Sequence, residues 1–322
     1  MPSRKPRVRV DDVLLDRCHV DEELDAALLV VTDTGRDPAE RAGRALSTVT
    51  ARRGDVERQL LAQEALAPAT RDLHAELVTA ARAGATPADV ADAAGLAAGA
   101  TVHAAWGLRE AGPETAPDPA RAFHALVEEA DDLALDGLRA VPDHPGCALA
   151  RLVTARVRGV PGDEVVHRFD VARREEPLCF PAHLQMLQAV SAKWRGSHDA
   201  MFDLVRQTSA VVPPGHPTTA VLPVAHLEYL AAGERDATAR REKDAVFMAA
   251  LSEPLLAAGD EHPRAVEAHN AFGWFFAAVD DKRRARLHLA RTGQRPSWLW
   301  AYLADDPRTV YVEVLQQIGA AR

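Results

Sequence analysis

HNAFGWFF (residues 269–276) and DDKRRARLHL (residues 280–289) form the stretch of sequence that decides the fold class. The pattern predicts two helices that cross closely, because Gly273 supplies the small residue that a close crossing needs. Phe276 follows three positions after Gly273, and Ala285 and Leu289 stand twelve and sixteen positions after it. We therefore expect Gly273 and Ala285 to meet at the crossing, within a fold built from helix pairs.

Prolines at regular spacing indicate that the helix pair is repeated. Pro142, Pro177 and Pro214 are 35 and 37 residues apart, and each closes a stretch that holds two helical segments. Residues 162–177 and 196–204 match parts of the same unit. A period near 34 residues built from helix pairs is typical of tetratricopeptide repeats. The sequence therefore predicts an all-α fold, specifically a tetratricopeptide-like α-solenoid of helix pairs.

Helix-breaking residues divide the N-terminal part into helix-sized segments as well. Gly35, Gly54, Pro68 and Gly84 separate runs that are rich in Ala, Leu, Glu and Arg, which are good helix formers. The proline-rich segment 112–119 is the candidate internal boundary. We expect an N-terminal helical region at residues 1–112 and a tetratricopeptide-like repeat region at residues 120–322, within one continuous solenoid.

Composition and charge exclude several classes of protein. The 322 residues carry a formal net charge of −9, with 47% apolar and 26% charged residues, which argues against extensive disorder. The acidic balance gives no general attraction to nucleic acid or to an anionic membrane. The basic N-terminus lacks the apolar run of a secretory signal, and Leu24–Val31 is too short to cross a membrane. We expect a cytoplasmic protein with no membrane partner.

The three cysteines, Cys18, Cys147 and Cys179, are far apart in the sequence. Their odd number and the lack of a CxxC pair argue against a disulfide framework or a cysteine-rich zinc site. We expect small buried apolar side chains at these positions.

Part of the chain resembles an uncharacterised actinobacterial family of tetratricopeptide-like helical repeat proteins, related to the DUF4034 group. The resemblance covers about residues 120–300, and its most specific piece is KWRGSH at residues 193–198. Further matching positions are Arg168-Phe169, Ala172, residues 181–187, Met201-Phe202, residues 265–272, Ala105-Trp106, Arg109 and Phe123-His124. The resemblance implies an all-α repeat fold and implies no activity.

A cluster of polar residues in the middle of the repeat region is the densest candidate site. Its members are His183, Lys193, Trp194, Ser197, His198, His216, His226 and Glu228. One interpretation is a pocket for a ligand or peptide, with a positive charge at Lys193 and a stacking surface at Trp194. The alternative is structural, with Ser197 capping a helix and Trp194 packed between repeats.

A zinc site is a third interpretation of the same cluster, since imidazole and carboxylate groups bind zinc. His226 and Glu228 are two positions apart and point to different sides of a helix, which weakens that interpretation. We therefore predict no metal and no cofactor. The candidates for binding a ligand or partner are His183, Lys193, Trp194, His198, His226 and Asn270.

Residues 86–106 offer a rival interpretation as a DNA-binding helix-turn-helix. Ala91 and Gly95 have the four-residue spacing of that motif. The second helix would offer only Thr101 and His103 as base readers and no basic residue before Arg109. Binding to nucleic acid is therefore not expected, and the other interpretation of this segment is an antiparallel helix pair.

No sequence motif identifies a catalytic residue. The chain lacks a Gly-x-Ser-x-Gly elbow, a Walker loop, a GxGxxG loop and an HExxH pair. The aromatic residues near the C-terminus, from Phe272 to Tyr302, have the spacing of a helical core.

We predict a non-enzymatic scaffold that presents a groove of helical repeats to a protein or peptide. The alternatives are a DNA-binding regulator using residues 86–106 and an enzyme of unrecognised type using the cluster from His183 to Glu228.

Overall fold

The computed structural model of the chain describes residues 8–14, 17, 19–110 and 118–320. These residues form fifteen α-helices and a few short 3-10 turns, and no strand occurs among them. The predicted all-α fold is therefore confirmed. The helices belong to two compact units. The central unit is Asp21–Ala189, and the terminal unit combines the described parts of Met1–Val20 and Val190–Arg322.

The central unit contains α1 to α9, of which the last ends on the first residue of the terminal unit. The bounds are α1 (Glu22–Val31), α2 (Pro38–Thr50), α3 (Val56–Leu66), α4 (His74–Ala83), α5 (Pro87–Glu110), α6 (Pro119–Ala140), α7 (Pro145–Arg158), α8 (Gly162–Ala172) and α9 (Phe180–Val190). The terminal unit contains the other six helices. They are α10 (His198–Val211), α11 (Val221–Ala231), α12 (Ala237–Ala257), α13 (Ala265–Ala278), α14 (Lys282–Leu289) and α15 (Pro307–Gln317).

Aspartate begins many of these helices by accepting a backbone N–H of the first turn. Asp21 accepts from the N–H of Leu24 at 3.0 Å. Asp37, Asp118 and Asp306 do the same and are each followed by proline at the first helical position. A short carboxylate satisfies a donor that has no partner within the helix, and proline has no N–H to leave unpaired there. These local signals explain why breakers and caps predict the helix starts well.

Residues 87–110 form one continuous helix, α5, of 24 residues. Thr86 accepts the N–H of Asp89 at 3.2 Å, and Asp89 accepts the N–H of Thr86 at 3.1 Å, which makes a reciprocal cap. Both sequence interpretations of this segment, a helix-turn-helix and an antiparallel helix pair, are wrong because the chain does not turn at Gly95. Thr101, proposed as a base reader, is buried.

Gly95 is glycine because a neighbouring helix approaches α5 closely at this point. A Cβ atom at Gly95 would lie 3.3 Å from the backbone N of Cys147, at the start of α7. A Cβ atom at Gly137, on α6, would lie 2.3 Å from the Cys147 Sγ. Cys147 therefore fills the crossing of three helices, and its thiol donates to the carbonyl of Ala91 at 3.2 Å. Burial raises the pKa of this thiol far above its usual range.

The expected burial of cysteine is confirmed for Cys147 and Cys179, which are both free thiols. Cys18 lies outside the described residues, as does most of the proline-rich segment 112–119. The predicted domain boundary at that segment stays a prediction. The helices on its two sides, α5 and α6, pack against each other within the central unit.

A buried carboxylate joins four parts of the central unit. Asp92, on α5, is 1% exposed. It accepts hydrogen bonds from the Thr50 hydroxyl at 2.9 Å, the Arg53 Nε at 2.6 Å and the Gln59 Nε2 at 2.7 Å. The His144 Nε2, just before α7, lies 2.9 Å from the Asp92 Oδ1, the carboxylate oxygen that Gln59 also bonds. Because the His144 Nδ1 accepts the N–H of Cys147, its Nε2 carries the proton and donates to Asp92.

The terminal unit is discontinuous in sequence. Before α1 begins, the backbone N–H of Leu14 donates to the carbonyl of Gln294 at 3.1 Å. The Arg295 guanidinium donates to the carbonyls of Arg17 and His19. These bonds attach the N-terminal residues to the segment that follows α14, so the first described residues pack with the last part of the chain.

Helices α13 and α14 cross closely at Gly273. A Cβ atom at Gly273 would lie 2.4 Å from the Leu289 Cδ2. The nearest neighbour of Gly273 is therefore Leu289, whereas the sequence pattern predicts Ala285. Ala285 is fully buried in the same pair. The close crossing inferred from the spacing is present, but its register differs by one turn of α14.

Replacing Ala285 by leucine should overpack this pair and lower the free energy of unfolding by about 1–3 kcal/mol. The measurement is urea unfolding followed by circular dichroism. Ala278→Leu is a matched control, because Ala278 lies at the exposed end of α13 and should change stability by less than about 0.5 kcal/mol. Equal midpoints for the two variants would show that Ala285 is not held in a tight crossing.

A search of the described helices finds none that is both long and apolar enough to cross a membrane.

Candidate functional site

The candidate site is a cavity in the terminal unit that the predicted polar cluster partly lines. Its volume is about 190 Å³. The residues that line it are Ser191, Ala192, Lys193, His198, Met201, Glu228, Ala231, Ala232 and Tyr302. Of the predicted binding residues, the structure therefore brings Lys193 and His198 to one cavity. We call it the Lys193 pocket.

A sharp turn between α9 and α10 positions Lys193 and His198. Residues 192–194 form a single 3-10 turn, and Arg195 then adopts a left-handed backbone conformation with φ of 75°. At Gly196 a Cβ atom would lie 1.9 Å from the carbonyl oxygen of Val190, so only glycine fits. Ser197 then caps α10 by accepting the N–H of Ala200 at 3.0 Å, as predicted.

Lys193 contacts two other residues that line the pocket. Its Nζ lies 2.7 Å from the Glu228 Oε2 and 3.0 Å from the Tyr302 hydroxyl. It also lies 5.0 Å from the centre of the Tyr302 ring, within the range of a cation–π contact. The Glu228 side chain is 4% exposed and that of Lys193 is 41% exposed. A partly exposed ammonium thus neutralises a buried carboxylate at the pocket wall.

His198 lines the pocket and is hydrogen-bonded to a second carboxylate, that of Glu234. Its Nε2 is 3.0 Å from the Glu234 Oε1, and its ring packs edge-on against Tyr229 with centroids 4.8 Å apart. Its Nδ1 is buried without a hydrogen-bond partner. With the proton on Nε2, the unprotonated Nδ1 is a buried acceptor.

The structure places the other four predicted binding residues elsewhere. His183 belongs to the central unit, where its Nδ1 donates to the Cys179 carbonyl at 2.8 Å. Trp194 is half-buried in the turn that follows Lys193. Asn270 is fully buried, and its amide bonds the carbonyls of Val266 and Arg295 and accepts the indole N–H of Trp300. These contacts give His183 and Asn270 structural roles.

His226 packs in the aromatic core of the terminal unit. Its ring lies 5.2 Å from Phe202 and 5.3 Å from Phe275, both edge-on. The Asp244 carboxylate approaches its Nε2 to 3.1 Å, but not in line with the ring N–H, so neither nitrogen has a hydrogen bond. Burial, with Arg240 and Arg241 nearby, lowers the pKa of His226 to about 3. Since Glu228 bonds Lys193, the two residues do face different sides of α11, as predicted.

A second pair of buried histidines lies between α13 and α14. The Nδ1 atoms of His269 and His288 are 2.9 Å apart, and the His269 Nε2 lies 3.3 Å from the Asp260 carboxylate. The His288 ring stacks on Phe272 and Phe276 at 5.3 and 5.7 Å. Burial, together with the neighbouring His269, lowers the pKa of His288 to about 2. Neutral imidazoles thus form part of the core, and neither of them lines the Lys193 pocket.

Tyr302 is the pocket residue that sequence reasoning misses. The aromatic spacing near the C-terminus assigns it to the core, and Phe272 and Trp300 are indeed buried there. Tyr302 itself is 37% exposed and meets Lys193 from 109 positions away. The residue type is the one signal of this position in the sequence, because a tyrosine hydroxyl at the edge of a core needs a polar partner.

The central unit has a larger cavity that offers fewer polar groups. Its volume is about 370 Å³, and it lies between α2 and α4. The lining residues are Ala39, Ala42, Gly43, Leu46, Ala75, Glu76, Thr79, Ala80 and Ala83. Only Glu76 brings a charge to it, whereas Lys193, Glu228, His198 and Tyr302 all reach the Lys193 pocket. The Lys193 pocket is therefore the better candidate for specific binding.

Among the described residues, no group of three or more His, Cys, Asp or Glu side chains is arranged to hold a metal ion. Comparisons with protein-family models, with curated proteins and with solved structures found no match.

Proposed function

We propose that this protein is a non-enzymatic binding module that takes up a peptide segment of a partner protein at the Lys193 pocket. The observation that carries the proposal is the Lys193 ammonium held between Glu228 and Tyr302 at the mouth of an apolar cavity. Two of its three N–H groups are engaged there, and the third is available to a carbonyl or carboxylate of a bound chain.

The size of the pocket favours a single side chain as its occupant. Pockets for drug-sized ligands and cofactors typically measure about 300–1,000 Å³, and this one measures about 190 Å³. Met201, Ala231 and Ala232 supply apolar contacts inside it. An apolar anchor residue of a peptide would insert there, and Lys193 would fix the backbone beside it.

The helix pairs support a repeat architecture, which we propose to be tetratricopeptide-like within each unit. Within each of the pairs α7–α8, α11–α12 and α13–α14, a short connection joins the two helices. In the terminal unit the first helices of two successive pairs, α11 and α13, contact each other, as the stacked first helices of such repeats do. The close crossing at Gly273 fits the same pattern.

The two rival functions gain no support from the residues assigned to them. The DNA-binding interpretation depended on a turn near Gly95, where α5 is continuous. The enzyme interpretation depended on His183 and His226 acting with Glu228. His183 bonds the Cys179 carbonyl, and His226 lies in the aromatic core.

A randomised 12-residue peptide library displayed on phage tests the proposal on the full chain. We expect enriched peptides to share one apolar residue and to bind in solution, as measured by calorimetry. Ala232→Leu should weaken that binding at least tenfold, because the added side chain occupies the pocket. Ala51→Leu is the control, since Ala51 is an exposed alanine on the central unit. Failure to enrich any peptide, or equal binding by both variants, would contradict the proposal.

A further inference from the structure

Helix α12 presents a long, partly apolar surface to solvent. Its inner face is buried at Arg241, Met248, Ser252 and Leu255. Val246, on the opposite side, is 82% exposed, and Phe247, on the flank of the helix, is 50% exposed. Large apolar side chains exposed together on one helix are a common feature of protein interfaces.

The exposed residues of α12 follow the spacing of a helix–helix seam. Successive members are separated by four, three, four, three and four positions, and all six are exposed. They are Ala239, Lys243, Val246, Ala250, Glu253 and Ala257; we call this set the outer stripe. Alternating steps of three and four residues keep side chains along the line where two helices meet. The three alanines allow a second helix to approach closely.

The outer stripe is complementary to itself when read in the opposite direction. In an antiparallel pair centred at the level of Met248, Ala239 faces Ala257, Lys243 faces Glu253 and Val246 faces Ala250. Each contact then occurs twice, as a two-fold symmetric interface requires. The pairing places a positive charge opposite a negative one at both ends and puts apolar residues between them.

The contacts that Lys243 and Glu253 make within one chain leave both side chains available for this pairing. Lys243 makes no ion pair within the part of the chain that the structure describes. Glu253 accepts a hydrogen bond from the Arg284 Nη2 at 3.0 Å through its Oε1. Its Oε2 is left for a second cation, and the Glu253 side chain is 57% exposed.

We infer that a second copy of this chain packs on the outer stripe, with its α12 antiparallel to the first. The stripe covers residues 239–257, and the 18 steps between its ends correspond to about 27 Å at 1.5 Å per residue. A single helix pair of this length buries less surface than a typical stable dimer interface. The resulting dimer is a weak one, with a dissociation constant on the order of 10–100 µM.

Sedimentation of the full chain at a series of concentrations from 5 to 500 µM tests this arrangement. The variants exchange the charges that face each other across the proposed interface. Lys243→Glu places Glu opposite Glu twice, and Glu253→Lys places Lys opposite Lys twice. Each single variant should therefore associate with itself at least tenfold more weakly than the wild type. A 1:1 mixture of the two variants should dimerise again, because both pairings then join a Glu to a Lys.

Two further variants separate this interface from a general effect of charge. Glu313→Lys makes the same charge change at an exposed position on α15, and we expect it to dimerise as the wild type does. Val246→Glu should abolish dimerisation without lowering the melting temperature, because Val246 is exposed in the monomer. A wild-type chain that stays monomeric at 500 µM would overturn the inference. A mixture that associates no better than the single variants would do so too.

Discussion

Replacing Asp92 by alanine is expected to lower the free energy of unfolding of the central unit by about 3–5 kcal/mol. The carboxylate is 1% exposed and accepts hydrogen bonds from Thr50, Arg53, Gln59 and His144. Without it, two buried donors lose their acceptor, and the Arg53 guanidinium loses its buried counter-charge. Leaving such groups unpaired in the interior costs far more than the net value of each bond.

The ionised form of Asp92 carries this stabilisation. Burial by itself raises the pKa of Asp92, but the hydrogen bonds from His144, Thr50 and Arg53 outweigh it and hold the pKa below its usual value. The contribution is therefore fully present at neutral pH and is lost only as the pH falls below the pKa of an unfolded aspartate, about 4.

Urea unfolding at pH 7, followed by circular dichroism, measures the effect, and hydrogen exchange assigns it to residues 21–189. The control is Asp89→Ala on the same helix. Asp89 also bonds Arg53, at 2.7 Å, but is far more exposed, so its removal should lower the unfolding midpoint much less than the removal of Asp92. If Asp92→Ala unfolds at the same urea concentration as the wild type, the role assigned to Asp92 is contradicted.

Lowering the pH from 7 to 5 is expected to destabilise the terminal unit by about 4 kcal/mol, with about half of this from each of His226 and His288. Their pKa values in the folded chain are lowered to about 3 and about 2, whereas an unfolded histidine has a pKa of about 6.5. Between these values the unfolded state binds more protons than the folded one. Stability is therefore complete above about pH 6.5 and falls as the pH decreases.

A leucine at position 226 should remove about half of this pH dependence. His226 makes no hydrogen bond, so His226→Leu keeps the apolar contacts with Phe202 and Phe275 and eliminates the titration. The measurement is the urea midpoint at half-unit steps from pH 7 to pH 5. His167→Leu, at an exposed histidine, is the control and should leave the slope unchanged. An unaltered slope in His226→Leu would contradict the role given to His226.

Local signals explain what the sequence predicts well. The Asp-Pro pairs at residues 37–38, 118–119 and 306–307 begin helices because a cap and a first-turn proline act within four residues. The Gly196-Ser197 turn and the different sides faced by His226 and Glu228 follow from equally short spacings. Such features need no knowledge of the rest of the chain.

Features that depend on distant residues are the ones that sequence reasoning misses. Gly95 suggests a break, but α5 is continuous, and residue 95 is glycine because Cys147 approaches it closely from another helix. Tyr302 joins Lys193 across 109 positions of sequence, which no local pattern can encode. Nothing in the local sequence marks Asp92 as buried, although four donors from other parts of the central unit surround its carboxylate.

Because Leu14 and Arg17 bond residues 294–295, the terminal unit can be completed only late in the synthesis of the chain on the ribosome. The central unit is an insertion between two parts of the terminal unit, so all of its residues are translated before most of the terminal unit exists. At about 5–20 residues per second, residues 190–320 take roughly 7–26 s to translate. During that interval the N-terminal residues have emerged without their partners. A released chain that ends at residue 189 should therefore resist protease over residues 21–189, whereas residues 8–20 should be cleaved.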